Sequence, residues 1–154
     1  MANKIIQKDW NVLFLIFGAG EYEDVLHSDL KLEYEFKNVV LMGHQTHDVL
    51  SSFHNIARLS VLPSRSEGFG IAALEAMGCG TPVVASNTGG LGELIVGSLV
   101  PIGDYKEIAN QVLRILDMAE IDYQQLRYKS YKAAQKYSWK EIVDKRLKVY
   151  ETLI

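Results

Sequence analysis

The chain has 154 residues, 48% of them hydrophobic and only three of them proline, which supplies a full core for one compact domain rather than a disordered tail. A formal charge of -3 with no dense cluster of lysine and arginine excludes a nucleic-acid surface, because binding to backbone phosphates depends on such clusters. The single cysteine, Cys79, excludes an internal disulfide and points to a reducing, cytoplasmic setting. No apolar run reaches the roughly 20 residues of a membrane span, and MANKIIQKDW lacks the apolar core of a signal peptide. Membrane contact would have to be indirect, through a partner or through the basic, tyrosine-bearing RYKSYKAAQKY, which otherwise reads as a solvated helix face.

In chain order, short apolar runs alternate with helical stretches. The expected strands are Val12 to Phe17, Asn38 to Met42, Leu59 to Leu62, Pro82 to Ala85 and Leu99 to Val100, each short and apolar as for strands buried on both faces. That alternation specifies an α/β, Rossmann-like three-layer domain, a parallel sheet flanked by helices. The last third is wholly helical. Asp104 with Glu107 caps one helix, whose apolar positions are Ile108, Val112, Ile115, Leu116 and Ala119. Ser138 with Glu141 caps the final one, where Trp139, Ile142, Val143, Leu147 and Tyr150 form a stripe that Trp139 is expected to anchor. No repeat or Gly/Ser- or Pro-rich linker divides the chain, so residues 1–154 are expected to form a single domain.

The candidate site lies in ARLSVLPSRSEGFGIAALEAMGCGTPVVASNTGG. Its third strand ends at Pro63, so Ser64, Arg65, Ser66 and Glu67 sit at the carboxyl end of a strand, the ligand-binding edge of open α/β sheets. Gly68 and Gly70 bracket Phe69 just before the helix IAALEAMG, where backbone N–H groups and the helix dipole suit phosphate or hydroxyl oxygens. Glu75 is the only charged residue of that helix, and a ribose diol would satisfy its buried carboxylate. Glu67 at the loop mouth can accept hydrogen bonds from sugar hydroxyls. From the residues alone, Glu67 as an exposed loop residue and Glu75 paired with a lysine or arginine remain equally open. Ser86 to Gly90 reads either as a plain turn or as a donor or acceptor contact at the next strand's carboxyl end. His44 and His47 lack companion ligands for a metal site, Cys79 reads as a small buried residue in a helix C-cap, and GAGEYE lacks the third glycine of a dinucleotide fingerprint.

The string PSRSEGFGIAALEAMGCGTPVVASNTGG resembles the E-x7-E region of retaining GT-B glycosyltransferases of the group 1 type. FLIFGAGE, NVVLMGH and YSWKEIVDKRLKVYETL resemble other parts of the same C-terminal, donor-binding domain, the last being its closing helix, which crosses back toward the partner domain. The resemblance implies transfer of a hexosyl unit from a UDP- or GDP-linked sugar with retention at the anomeric carbon and without a divalent metal. Glu67 would be the catalytic residue and hold the sugar hydroxyls. Ser64 and the backbone at Gly68, Phe69, Gly70 and Ile71 would support the sugar and phosphates. Glu75 would bind the ribose, and Gly18, Met42, Gly43 and His44 would border the nucleotide. This chain departs from the family pattern at Arg58, where an acid is usual, at Gly92, where a proline is usual, and in the short stretch from Ile95 to Leu99. The family's first strand and helix, with the Arg and Lys that neutralise the diphosphate, have no match before Val12, and the N-terminal acceptor-binding domain has none either. The resemblance thus implies a domain that binds donor without efficient transfer, partnered in cis or trans by an acceptor domain; for the missing first strand, dimerisation, segment swapping or cover of the gap by the chain's own N-terminal residues is expected. A noncatalytic nucleotide-sugar-binding subunit of a split enzyme and a GT-B-fold epimerase fragment are the alternative classes.

Overall fold

A computed structural model of the chain describes residues 11–20 and 38–153. The chain divides into two compact units, Met1–Leu50 and Ser51–Ile154. In the first, strand β1 (Phe14–Phe17) pairs in parallel with β2 (Val39–Gly43). The register slips at Ile16/Phe17, so that Phe17 faces Gly43. The helix expected after Gly20 lies outside the described residues. Helix α1 (His47–Ile56) spans the division between the units.

The second unit holds β3 (Ser60–Leu62), α2 (Ile71–Gly78), β4 (Val83–Ser86), α3 (Leu91–Leu94), β5 (Ser98–Val100), α4 (Tyr105–Leu116), α5 (Glu120–Gln135) and α6 (Trp139–Glu151). Its sheet is parallel in the order β3-β4-β5. The expected strands thus recur within two residues at each end, and the last third is helical as expected. Burial on both faces holds only for the central β4, buried at every position; Ile16 and Val40 of the other unit's strands are exposed. A middle strand is flanked on both sides, which explains why VVAS carries no side chain larger than valine.

The core joins Ala73, Ala76 and Met77 of α2 to Val83, Ala85, Leu91, Leu94, Ala133 and Ala134. Small side chains on α2 and α5 let these two helices pack closely. Two polar ties fix their ends. The Arg127 Nε donates to the Gly80 carbonyl at 3.1 Å, and the Thr81 hydroxyl donates to the His54 carbonyl, attaching the last turn of α1.

Arg58, the departure from an acid, has a structural use. Its guanidinium lies 3.4 Å from the centre of the Tyr123 ring and 3.3 Å from a Glu120 carboxylate oxygen. Tyr123, itself buried, returns a hydrogen bond from its hydroxyl to the Arg58 carbonyl at 2.8 Å. The residue before β3 is thereby clamped to α5, an arrangement an acid would turn into repulsion with Glu120. Hydrogen bonds from Gln124 and then Arg58 hold the Glu120 carboxyl below its ordinary range, while burial pushes the Tyr123 phenol up.

Both capping pairs form: Asp104 accepts from the Glu107 N–H at 2.9 Å and Ser138 from the Glu141 N–H at 3.4 Å. Two expectations are corrected. Helix α4 ends at Leu116 and buries Ile108, Ala109, Val112, Leu113 and Ile115, leaving Ala119 exposed as the residue that starts α5. Trp139 anchors nothing. It is 83% exposed, and no residue of α6 is buried, because no surface among the described residues covers the apolar stripe of Trp139, Val143, Leu147 and Tyr150. In RYKSYKAAQKY, Ser130, Ala133 and Ala134 face inward while Tyr128 and Tyr131 face solvent, the solvated-face reading. Among the described residues, no helix is long and apolar enough to cross a membrane.

The Arg58–Tyr123 clamp generates the first prediction. Tyr123→Phe keeps the packed ring but strips the Arg58 carbonyl of its partner, and should lower unfolding free energy by about 1 to 2 kcal/mol, read from urea unfolding curves.

Candidate functional site

The segment between β3 and α2 leaves the carboxyl end of its strand at Pro63 and runs through Ser64 and Glu67 to Gly70. Ser64 and Glu67 are half-buried, whereas Gly68 and Phe69 are exposed. A Glu67 carboxylate oxygen accepts the N–H of Gly68 at 3.1 Å. Gly70 caps α2 at φ 89° with no side-chain cap bond. A side chain there would strain the backbone and strike Leu91, since an added Cβ would lie 2.6 Å from its Cδ2. The first helical bond runs from the Leu74 N–H to the Gly70 carbonyl at 3.1 Å. The N–H groups at Ile71, Ala72 and Ala73 therefore have no intrahelical partner and carry the positive end of the helix dipole.

The loop after β4 supports this one directly. The Gly90 N–H donates to the Gly68 carbonyl at 2.8 Å, and the Thr88 hydroxyl donates to the Arg65 carbonyl at 3.4 Å. Gly89, at φ +50°, lies so close that a Cβ there would overlap the Glu67 carbonyl oxygen, and a Cβ on Gly90 would stand 2.8 Å from the Gly68 and Phe69 oxygens. Two loops from neighbouring strands thus lie backbone on backbone, with two glycines as the only residues small enough. The sequence left SNTGG between a plain turn and a ligand contact; its glycines buttress the Glu67 loop. Gly92 stands where a Cβ would come 2.9 Å from Asn87 Oδ1, so the missing proline goes with a tight local fit.

Glu75 is half-buried on α2, one turn beyond the exposed Ile71 and opposite the core face of Ala73, Ala76 and Met77. His54 of α1 lies within reach of its charge. Burial lowers the His54 pKa, and the Glu75 carboxylate opposes that shift. No spacing rule pointed to His54, because the contact arises from helix packing. A second residue missed from sequence is Tyr137, whose ring meets Phe69 edge-on at 5.6 Å between centroids. Cys79 is the C-cap residue of α2 as expected but only half-buried, its sulfur 3.8 Å from the Ser51 hydroxyl.

The second unit therefore brings together Ser64, Glu67, Gly68, Phe69, Gly70 and Ile71, with Glu75 on the same helix. The first unit brings together Gly18 and Met42 to His44 at the carboxyl ends of β1 and β2. There the Gly18 N–H donates to the Gly43 carbonyl at 2.9 Å, the Gln45 side-chain amide donates to the Met42 carbonyl at 2.6 Å, and His44 is exposed. Among the described residues, no group of three or more His, Cys, Asp or Glu is placed to hold a metal ion.

Residues 2–136 match the family model described as glycosyl transferases group 1. The chain belongs to that family. Over 151 residues it is 30% identical to the uncharacterized glycosyltransferase MJ1178 of Methanocaldococcus jannaschii, covering 95% of this chain and 42% of the relative. The fold superposes on S. aureus TarM, solved with UDP and other ligands, with a TM-score of 0.82, 25% identity and coverage of 95% of this chain and 30% of that one. Anabaena Alr3699/HepE in complex with UDP-glucose gives a TM-score of 0.76 at 25% identity, covering 92% of this chain and 40% of that one. The group 1 chain thus has the fold of a GT-B C-terminal domain and spans less than half the length of these relatives.

Two predictions follow from the site. Gly89→Ala should lower stability by about 2 kcal/mol or more, whereas Gly78→Ala, with open space around it in the last turn of α2, should be neutral or stabilise by up to about 1 kcal/mol; paired thermal melts check both. His54 binds a proton less readily folded than unfolded, so stability should be complete above the ordinary histidine value of 6.5 and fall as pH drops below it. His54→Gln should flatten that slope, checked by urea midpoints at about pH 5.5 and about pH 7.5.

Proposed function

We propose that this chain is the donor-binding half of a retaining glycosyltransferase that takes a hexosyl unit from a UDP- or GDP-linked sugar. The observation that carries this reading is the pair of stacked loops, which fixes the segment bearing Glu67 just ahead of α2, whose first N–H groups have no intrahelical partner. Glu67 receives the sugar hydroxyls and acts as the catalytic residue, with Ser64 and the backbone of Gly68, Phe69, Gly70 and Ile71 lining the sugar and phosphate side. The N-terminus of α2 stabilises the charge that develops on the departing diphosphate without any change in geometry during reaction. Glu75, on the same helix face as Ile71, accepts the ribose hydroxyls. Gly18 and the main chain of Met42, Gly43 and His44 border the base, with the Met42 and Gly43 carbonyls each already holding one partner. The ligands named with TarM and HepE, UDP and UDP-glucose, support this class of donor.

Transfer also needs an acceptor. We place the acceptor site on an N-terminal domain, in cis or in trans, whose seat is the uncovered apolar stripe of α6; the setting is cytoplasmic, and any membrane contact is indirect. Residues 1–154 taken by themselves bind donor but transfer poorly, since the acceptor is held by that domain. Calorimetric titration with UDP-glucose, UDP-N-acetylglucosamine and GDP-mannose tests the reading. One of the three should bind, and Glu67→Gln should weaken that sugar donor about tenfold or more, the scale of a lost charge-assisted hydrogen bond. Silence with all three contradicts it.

A further inference from the structure

Phe69 carries the one aromatic ring between Pro63 and Gly70, and it is held from two sides although it is 44% exposed. Behind its main chain stands Gly90, where a Cβ would come 2.9 Å from the Phe69 Cα. In front, the Tyr137 ring meets the Phe69 ring with planes inclined at 69°. Such edge-on pairs are directional, so the contact fixes orientation as well as distance. Tyr137 is the fixed member. It is half-buried against the core cluster, and its N–H donates to the Ala134 carbonyl at 3.0 Å. It also stands at the break between α5 and α6, so the loop and the uncovered helix share one attachment point.

We propose that Tyr137 is a positioning residue for the donor sugar: by holding Phe69 it sets, two peptide bonds upstream, where the Glu67 carboxylate stands. This rests on the reading that Glu67 holds the sugar hydroxyls. Apart from the main chain at Phe69, the groups assigned to the nucleotide portion stand outside the contact that Tyr137 makes. Glu75 rises from a helix locked by Ala73, Ala76 and Met77, and the groups assigned to the base lie at the carboxyl ends of β1 and β2. Loss of the Tyr137 ring therefore loosens the sugar and spares the nucleotide.

The test is calorimetry on the full chain, using the best binder among UDP-glucose, UDP-N-acetylglucosamine and GDP-mannose, and separately its free nucleoside diphosphate. Tyr137→Leu should raise the Kd for the nucleotide sugar about five- to tenfold while changing that for the free diphosphate by less than about twofold. Tyr137→Phe, which keeps the ring, should restore the wild-type value. Phe69→Leu removes the ring but keeps the main chain assigned to the phosphates; it breaks the same contact from its exposed side and should give the same split, which keeps the test alive if Tyr137→Leu fails to fold. Equal weakening of both ligands, or no weakening of either, overturns the positioning role while leaving Glu67 as the sugar ligand. A wild-type chain that binds the sugar form no better than the free diphosphate, and is indifferent to Glu67→Gln, overturns the underlying reading instead.

Discussion

Neighbouring strands of a parallel sheet release their loops at the same edge, and in this chain the loops after β3 and β4 lie there in direct backbone contact. The Gly90 N–H to Gly68 carbonyl bond and the near-contact of Gly89 with the Glu67 carbonyl leave no room for a Cβ on either glycine. Most of what the site can do follows from this. The loop bearing Glu67 has Gly68 and Phe69 exposed, so its shape depends on the next loop together with the contact of Phe69 on Tyr137. A polar group meant to grip a ligand gains from such support, because disorder removed before binding is not charged against affinity.

The same economy recurs below the loop. Helix α2 is apolar at every position but Glu75, and its inward face of Ala73, Ala76 and Met77 packs in one cluster with residues of β4 and α5. The opposite face carries the exposed Ile71 and the half-buried Glu75. Arg58 and Arg127 secure the surroundings, the first by clamping the start of β3 to Tyr123 and Glu120, the second by closing the end of α2 through the Gly80 carbonyl. Both arginines thus make structural contacts, and Arg58 joins sheet and helix.

Much of this was legible in the sequence. Strand positions followed from short apolar runs punctuated by glycine, proline and polar residues, although only β4 is buried throughout. The Asp104 and Ser138 caps followed from local chemistry. The contact of Gly89 and Gly90 with the preceding loop did not, since a glycine required by a neighbour across space looks like a glycine required by a turn. His54 beside Glu75 and Tyr137 against Phe69 were hidden for the same reason, each pair lying far apart in sequence. Trp139 misled in the opposite direction. An apolar stripe signals that a helix has a partner without saying where that partner lies, and among the described residues nothing covers the stripe of α6.

The central claim is that the stacked loops hold a donor sugar through Glu67 while Glu75 holds the ribose of the same molecule. A crystal structure of the chain soaked with the nucleotide sugar it binds tests this most directly. The account predicts sugar hydroxyls within hydrogen-bond distance, about 2.6 to 3.2 Å, of the Glu67 carboxylate, with the diphosphate at the N-terminus of α2 and the ribose on Glu75. A ligand seated elsewhere, or one whose sugar turns away from Glu67 into solvent, would contradict it.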